Sequence, residues 1–79
     1  MERYKINQMI RKHLKLSGRD LAERVEVTKQ TISNYETGKY CFRPLERVIE
    51  IELDLAVKEC TDEKIKYICE LLQTQRTKS

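Results

Sequence analysis

The chain has 79 residues, 39% hydrophobic and 37% charged, with two Gly, one Pro, no Trp and a formal net charge of +3. That length supports one domain, and the composition excludes a collagen-like repeat, a Gly/Ser tract and a long disordered linker. No apolar run approaches the ~18 residues of a membrane span, and a core this small supplies only ~3–5 kcal/mol, which leaves room for stabilisation by a partner subunit.

Met1-Glu2-Arg3-Tyr4-Lys5 is followed by no secretory h-region, so the expected location is cytoplasmic. Residues 4–15 read as a first helix, with Ile6, Met9, Ile10 and Leu14 at helical spacing and basic residues between them. Ser17 suits an N-cap. Asp20 completes a short-armed capping box, and Leu16 can staple onto Leu21. A second helix over about 18–25 then turns Leu21, Ala22 and Val25 inward. Thr28 caps a third helix from Lys29 to about Thr37, closed by Gly38. At about 100° per residue, Lys29, Gln30, Ser33, Asn34 and Thr37 fall on one side of it, and Thr31, Ile32, Tyr35 and Glu36 on the other.

Pro44 suits the first turn of a helix after a loop over 39–43. The stretch 44–58 supports two patterns. Leu45, Val48, Ile49, Leu53 and Ala56 fit a helix, whereas Ile49, Ile51, Leu53, Leu55 and Val57 alternate as a strand would. The helical flanks favour helix. Thr61 is the expected cap of a last helix, with Asp62 and Glu63 in its first turn and Ile65, Ile68, Cys69 and Leu72 as its apolar stripe. The tail 74–79 is expected to fray. The expected class is all-α, with five helices, divided into a unit over 1–58 and a C-terminal helix over 59–79 that is a possible dimerisation element.

Two short helices joined by about three residues, the first with small Ala22 and the second with a hydrogen-bonding outer face, make a helix-turn-helix arrangement at about 17–37. The run Leu16 to Lys39 resembles the Cro/CI-type (XRE) family of helix-turn-helix regulators. Leu21-Ala22 opens the motif, Val25 and Val27 flank its turn, and Ile32-Ser33, Tyr35-Glu36 and Gly38-Lys39 close it. The resemblance spans roughly residues 6–58 and implies a lambda-repressor-like fold. It also implies a structural pair between Arg11 and Glu36. Two positions depart from the pattern. Glu26 stands where a turn glycine is usual, so either Glu26 is strained or the turn differs. Gly18 stands where a phosphate-clamping side chain is common.

Groove chemistry assigns the remaining roles. Gln30 and Asn34 donate and accept together, which suits adenine; Lys29 suits guanine; Thr28 and Ser33 complete the candidate base-reading set. Ser17, Arg19, Thr37, Lys39 and Arg43 are candidates for phosphate contacts, with minor-groove insertion the alternative for Arg43. Ser17 and Thr28 are equally plain helix caps, and the outer row could be an ordinary solvated face. Charge is divided unevenly: residues 1–43 hold ten Lys/Arg against five Asp/Glu, and residues 44–79 hold six against eight. The basic half suits a polyanion.

The expected partners are double-stranded DNA and a second copy of the chain. Candidate dimer residues are Ile49, Leu53, Ile65, Ile68, Leu71 and Leu72, some of which must also close the monomer core. The expected activity is sequence-specific transcriptional regulation, as a repressor on a palindromic operator. The alternative is an antitoxin or adaptor whose acidic half binds a protein. Cys41, Cys60, Cys69 and the lone His13 offer no metal-ligand spacing, and no catalytic motif appears, so no cofactor, small-molecule ligand or enzyme activity is expected.

Overall fold

A computed structural model describes residues 1–78. Ser79, the last residue of the tail expected to fray, lies outside the described residues. Five helices occupy the described residues: α1 Arg3–His13, α2 Gly18–Arg24, α3 Lys29–Glu36, α4 Arg43–Glu59 and α5 Glu63–Thr77. No strand occurs among the described residues.

The first three helices stop in the same way. After each, a residue turns to positive φ: Lys15 (61°), Glu26 (58°) and Gly38 (79°). The N–H of that residue and the N–H of the next one then donate back into the last turn. Leu16 N reaches Arg11 O at 3.1 Å, Val27 N reaches Ala22 O at 2.9 Å and Lys39 N reaches Asn34 O at 3.0 Å. This is the Schellman closure, which usually recruits glycine at the positive-φ position. At Lys15 and Glu26 a side chain takes that conformation because the next residue, Leu16 or Val27, packs against the core. At Gly38 a Cβ would lie 2.8 Å from the Tyr4 hydroxyl, so a side chain there would also force Tyr4 to shift.

Segment 44–58 is helical, and its strand-like alternation has a simple origin. Ile49, Leu53 and Val57 are buried, while Ile51 and Leu55 are exposed. Two apolar stripes on opposite sides of one helix interleave in sequence as an alternating pattern. The cap of α5 is Asp62, not Thr61: its Oδ1 accepts from Lys64 N at 3.0 Å and Ile65 N at 3.2 Å. A carboxylate beats a hydroxyl here because it accepts two N–H groups at the positive helix end. The tail is helical through Thr77, held by the buried side chain of Arg76.

The core is drawn from all five helices. Ile6 and Ile10 of α1 meet Leu21 and Ala22 of α2, Ile32 and Tyr35 of α3, Leu45, Ile49, Leu53 and Val57 of α4, and Cys69 and Leu72 of α5. This corrects the interface expectation. Ile49, Leu53 and Leu72 are buried in the chain's own core and present no surface to a second copy, Ile65 is half-buried against it, and Ile68 and Leu71 are exposed. Burial also pushes the Cys69 thiol pKa up.

A polar network threads the same interior. Arg76 Nη1 donates to Asn7 Oδ1 at 3.0 Å, and its Nη2 donates to both Asp54 oxygens at 2.9 Å. Asn7 Nδ2 donates to Glu50 at 3.0 Å and to the Tyr35 hydroxyl at 2.9 Å. Tyr35 in turn donates to Glu46. Arg3 pairs with Glu50 at 2.8 Å. Every buried side-chain nitrogen and oxygen among the described residues has a partner, as a closed network in a low dielectric requires. Helix α5 is therefore part of the structure that holds α3, since Arg76 reaches Tyr35 through a single asparagine.

Candidate nucleic-acid interface

Helix α3 is anchored from within. Ile32 and Tyr35 are fully buried, and Glu36 accepts from Arg11 Nε at 2.6 Å and Nη2 at 2.9 Å. The third contact of Arg11, from Nη1 to Leu16 O at 2.7 Å, ties the same guanidinium to the connection between α1 and α2. Arg11 and Glu36 are both shielded, with side chains 11% and 8% exposed, so the pair fixes the angle between α1 and α3. Gln8, one turn before Arg11 on the same face of α1, adds a longer contact to Glu36 at 3.4 Å. Its position three residues before Arg11 is the only sequence signal that marked it.

With that inner face fixed, the outer one is set. Lys29, Gln30 and Ser33 are exposed and Asn34 is half-buried at the edge. Gln30 Nε2 donates to Asn34 Oδ1 at 3.0 Å. The two amides thus brace each other one turn apart, which restricts their rotamers. That bond leaves the Gln30 carbonyl as an acceptor next to the Asn34 N–H donors, the pattern that complements an adenine edge.

The flanking candidates fall into two groups. Ser17 and Thr28 serve as caps: Ser17 Oγ accepts from Asp20 N at 2.9 Å, and Thr28 Oγ1 accepts from Thr31 N at 3.1 Å. Asp20 returns the bond to Ser17 N at 2.9 Å, and that backbone donor holds its carboxyl below the usual carboxylate pKa range. Thr37 donates back to Ser33 O at 3.0 Å, and Arg19 lies 3.3 Å from Glu23 in an exposed pair worth little. Lys39 is exposed on the loop beyond α3, and Arg43 is exposed at the first position of α4. A cleft of about 220 Å³ opens beside the row, lined by Gln8, Arg11, Gly18, Lys29, Ile32, Ser33, Glu36 and Thr37. It brings α1, the start of α2 and α3 to one surface. Among the described residues no cluster of His, Cys, Asp or Glu is arranged to hold a metal, and no helix is long and apolar enough to cross a membrane.

A family model described as helix-turn-helix matches residues 8–54, more than half of the chain. The chain belongs to the XRE-type helix-turn-helix family. The match to this helix-turn-helix domain begins at Gln8, covers α2 and α3 whole, and ends at Asp54 inside α4, so α5 lies outside it. The family is a DNA-binding regulatory domain and is not typically enzymatic. No curated protein and no solved structure matches the chain significantly. In the helix-turn-helix docking mode the second helix of the motif enters the major groove, and here that helix is α3.

Proposed function

We propose that this helix-turn-helix protein is a cytoplasmic transcriptional repressor that binds a palindromic operator as a homodimer and acts by occupying a promoter. One observation carries the reading: α3 buries Ile32 and Tyr35 and turns Lys29, Gln30, Ser33 and Asn34 outward on a rigid mount. The base-reading set is Thr28, Lys29, Gln30, Ser33 and Asn34. The hydroxyl of Thr28 is committed to its cap, so its methyl is the part left for a thymine methyl. Ser17, Arg19, Thr37, Lys39 and Arg43 position the domain on phosphates, and the exposure of Lys39 and Arg43 supports them best.

Two copies follow from groove arithmetic. One α3 reads few base pairs, and a symmetric pair with half-sites about 34 Å apart doubles the contacts. Selection of bound duplexes from a random pool tests the proposal. The expected outcome is an inverted repeat with adenines in the region read by Gln30 and Asn34. Random duplex should bind weakly, with Kd about 10⁻⁴–10⁻⁶ M and steep salt dependence. A chain that binds no duplex at low salt would instead be a protein-interaction module acting through its acidic half.

A further inference from the structure

Helix α4 carries a second apolar stripe that the fold leaves uncovered. Val48, Ile51 and Leu55 are 43%, 50% and 46% exposed. Their spacing of three and then four residues is that of a seam between two paired helices. The stripe continues into a cleft of about 360 Å³ whose wall includes Tyr40, Phe42, Val48 and, from the recognition helix itself, Thr31. Tyr40 and Phe42 are stacked with ring centroids 6.0 Å apart, both about half exposed. A contiguous apolar surface of this kind on a small soluble domain marks an interaction site.

The charges beside the stripe select the occupant. At about 100° per residue, Arg47 and Lys58 fall along one edge and Glu52 and Glu59 along the other. Asp54, further round on the basic side, is already neutralised by Arg76 at 2.9 Å, and Glu52 lies 3.7 Å from Arg24 of its own chain. Two copies related by a two-fold axis meet through the same patch. In an antiparallel pair the basic edge would face the basic edge. In a parallel pair Arg47 and Lys58 of one copy lie along the edge of the other that carries Glu59, with Glu52, already beside Arg24, a weaker contributor. The surface is thus complementary to itself in one orientation.

We propose that the α4 stripe Val48–Ile51–Leu55, with the Tyr40–Phe42 stack at its end, is the homodimer interface, formed by two parallel α4 helices. This rests on the dimeric reading above and names its surface. Because the cleft shares Thr31 with α3, pairing there also fixes the distance between the two recognition helices.

Sedimentation velocity over a wide concentration range, paired with duplex binding, tests it. Wild type is expected to dimerise. Ile51→Glu should weaken dimerisation about 30-fold or more while circular dichroism stays native, because Ile51 is outside the core. That variant should keep weak binding to random duplex and lose tight operator binding. Leu71→Glu, on the exposed face of α5, should dimerise as wild type does. Oxidative crosslinking gives an independent readout: with Cys41→Ser and Cys60→Ser in place, Leu55→Cys should crosslink to its own copy, as a parallel pair requires. A wild-type chain that stays monomeric overturns the proposal and leaves the stripe to another protein. Crosslinking through Leu71→Cys but not Leu55→Cys overturns it equally. Dimers without any duplex binding would sink the DNA-binding role while leaving the interface standing.

Discussion

Glu26 shows how one residue can act on both stability and binding. It closes α2 at φ 58°, in a conformation that costs a non-glycine residue about 1–2 kcal/mol, and it places a negative charge in the turn before α3. Glu26→Gly should therefore stabilise the fold by about 1 kcal/mol, the gain being trimmed by the freer unfolded chain. Glu26→Gln keeps the backbone strain and removes only the charge. Denaturant titration should separate them: a rise with Gly and none with Gln. Duplex affinity at low salt should rise with both. Equal stability for all three chains would show that the turn holds glutamate without strain. The amides of α3 make the complementary case for specificity. Because Gln30 and Asn34 brace each other, Gln30→Ala should also release Asn34, and either alanine variant should cost about 1–3 kcal/mol on the operator. The double variant should cost less than the two losses added together. Losses of equal size on operator and random duplex would remove both residues from the base-reading set.

Between the helices, the Arg11–Glu36 pair decides how α3 is presented. Removing one member of a shielded ion pair strands the other and costs about 3 kcal/mol, a large share of the stability of so small a core. Glu36→Ala should lower the thermal midpoint sharply and weaken operator binding along with it. An unchanged midpoint and affinity would mean the pair holds nothing in place. The five helices and the outer row of α3 were legible in the sequence, because each rests on local signals: helical spacing, a cap residue, or a motif of fixed length; the Arg11–Glu36 contact, 25 residues apart, was legible only through the family resemblance. What stayed illegible is equally physical. Periodicity marks that α4 is apolar on two sides without saying which side has a neighbour, so Ile49 and Leu53 read as interface while Ile51 and Leu55 read as strand. Thr61 and Asp62 are adjacent capping residues, and only the backbone geometry chooses between them. The positive-φ stop at Lys15 is set by the packing of Leu16 and left no sign in the sequence, whereas the one at Glu26 is the strained reading of the two that its turn position offered.

At the scale of the whole molecule, the least legible feature is the polar network, whose partners lie up to 73 residues apart in sequence. It bonds α5 through Arg76 to the groups that seat Tyr35. Its acid response follows from Glu50. Burial alone would raise that carboxyl's pKa, but hydrogen bonds from Arg3 and Asn7 and the nearby Arg76 outweigh burial and hold it low. A carboxylate whose folded pKa lies below its unfolded value contributes its full stability above the unfolded value, about 4.3 for glutamate, and loses it as pH falls through the folded one. Asp20 is shifted the same way. Burial, and then the bond to Glu46, push the Tyr35 phenol far above its ordinary pKa, so it goes on donating throughout this range. The thermal midpoint should therefore be nearly level from neutral pH to about 5 and fall steeply below about 4. Glu50→Gln separates the network from the general charging of the surface. It should lower the midpoint at pH 7, because Arg3 and Arg76 lose a charged partner, and it should flatten the acid limb, because one depressed carboxylate no longer titrates. A variant that matched wild type in slope below pH 4 would place the acid sensitivity elsewhere. If the network does couple α5 to α3, operator binding should be lost in the same pH window as the fold, with no binding-competent intermediate at lower pH.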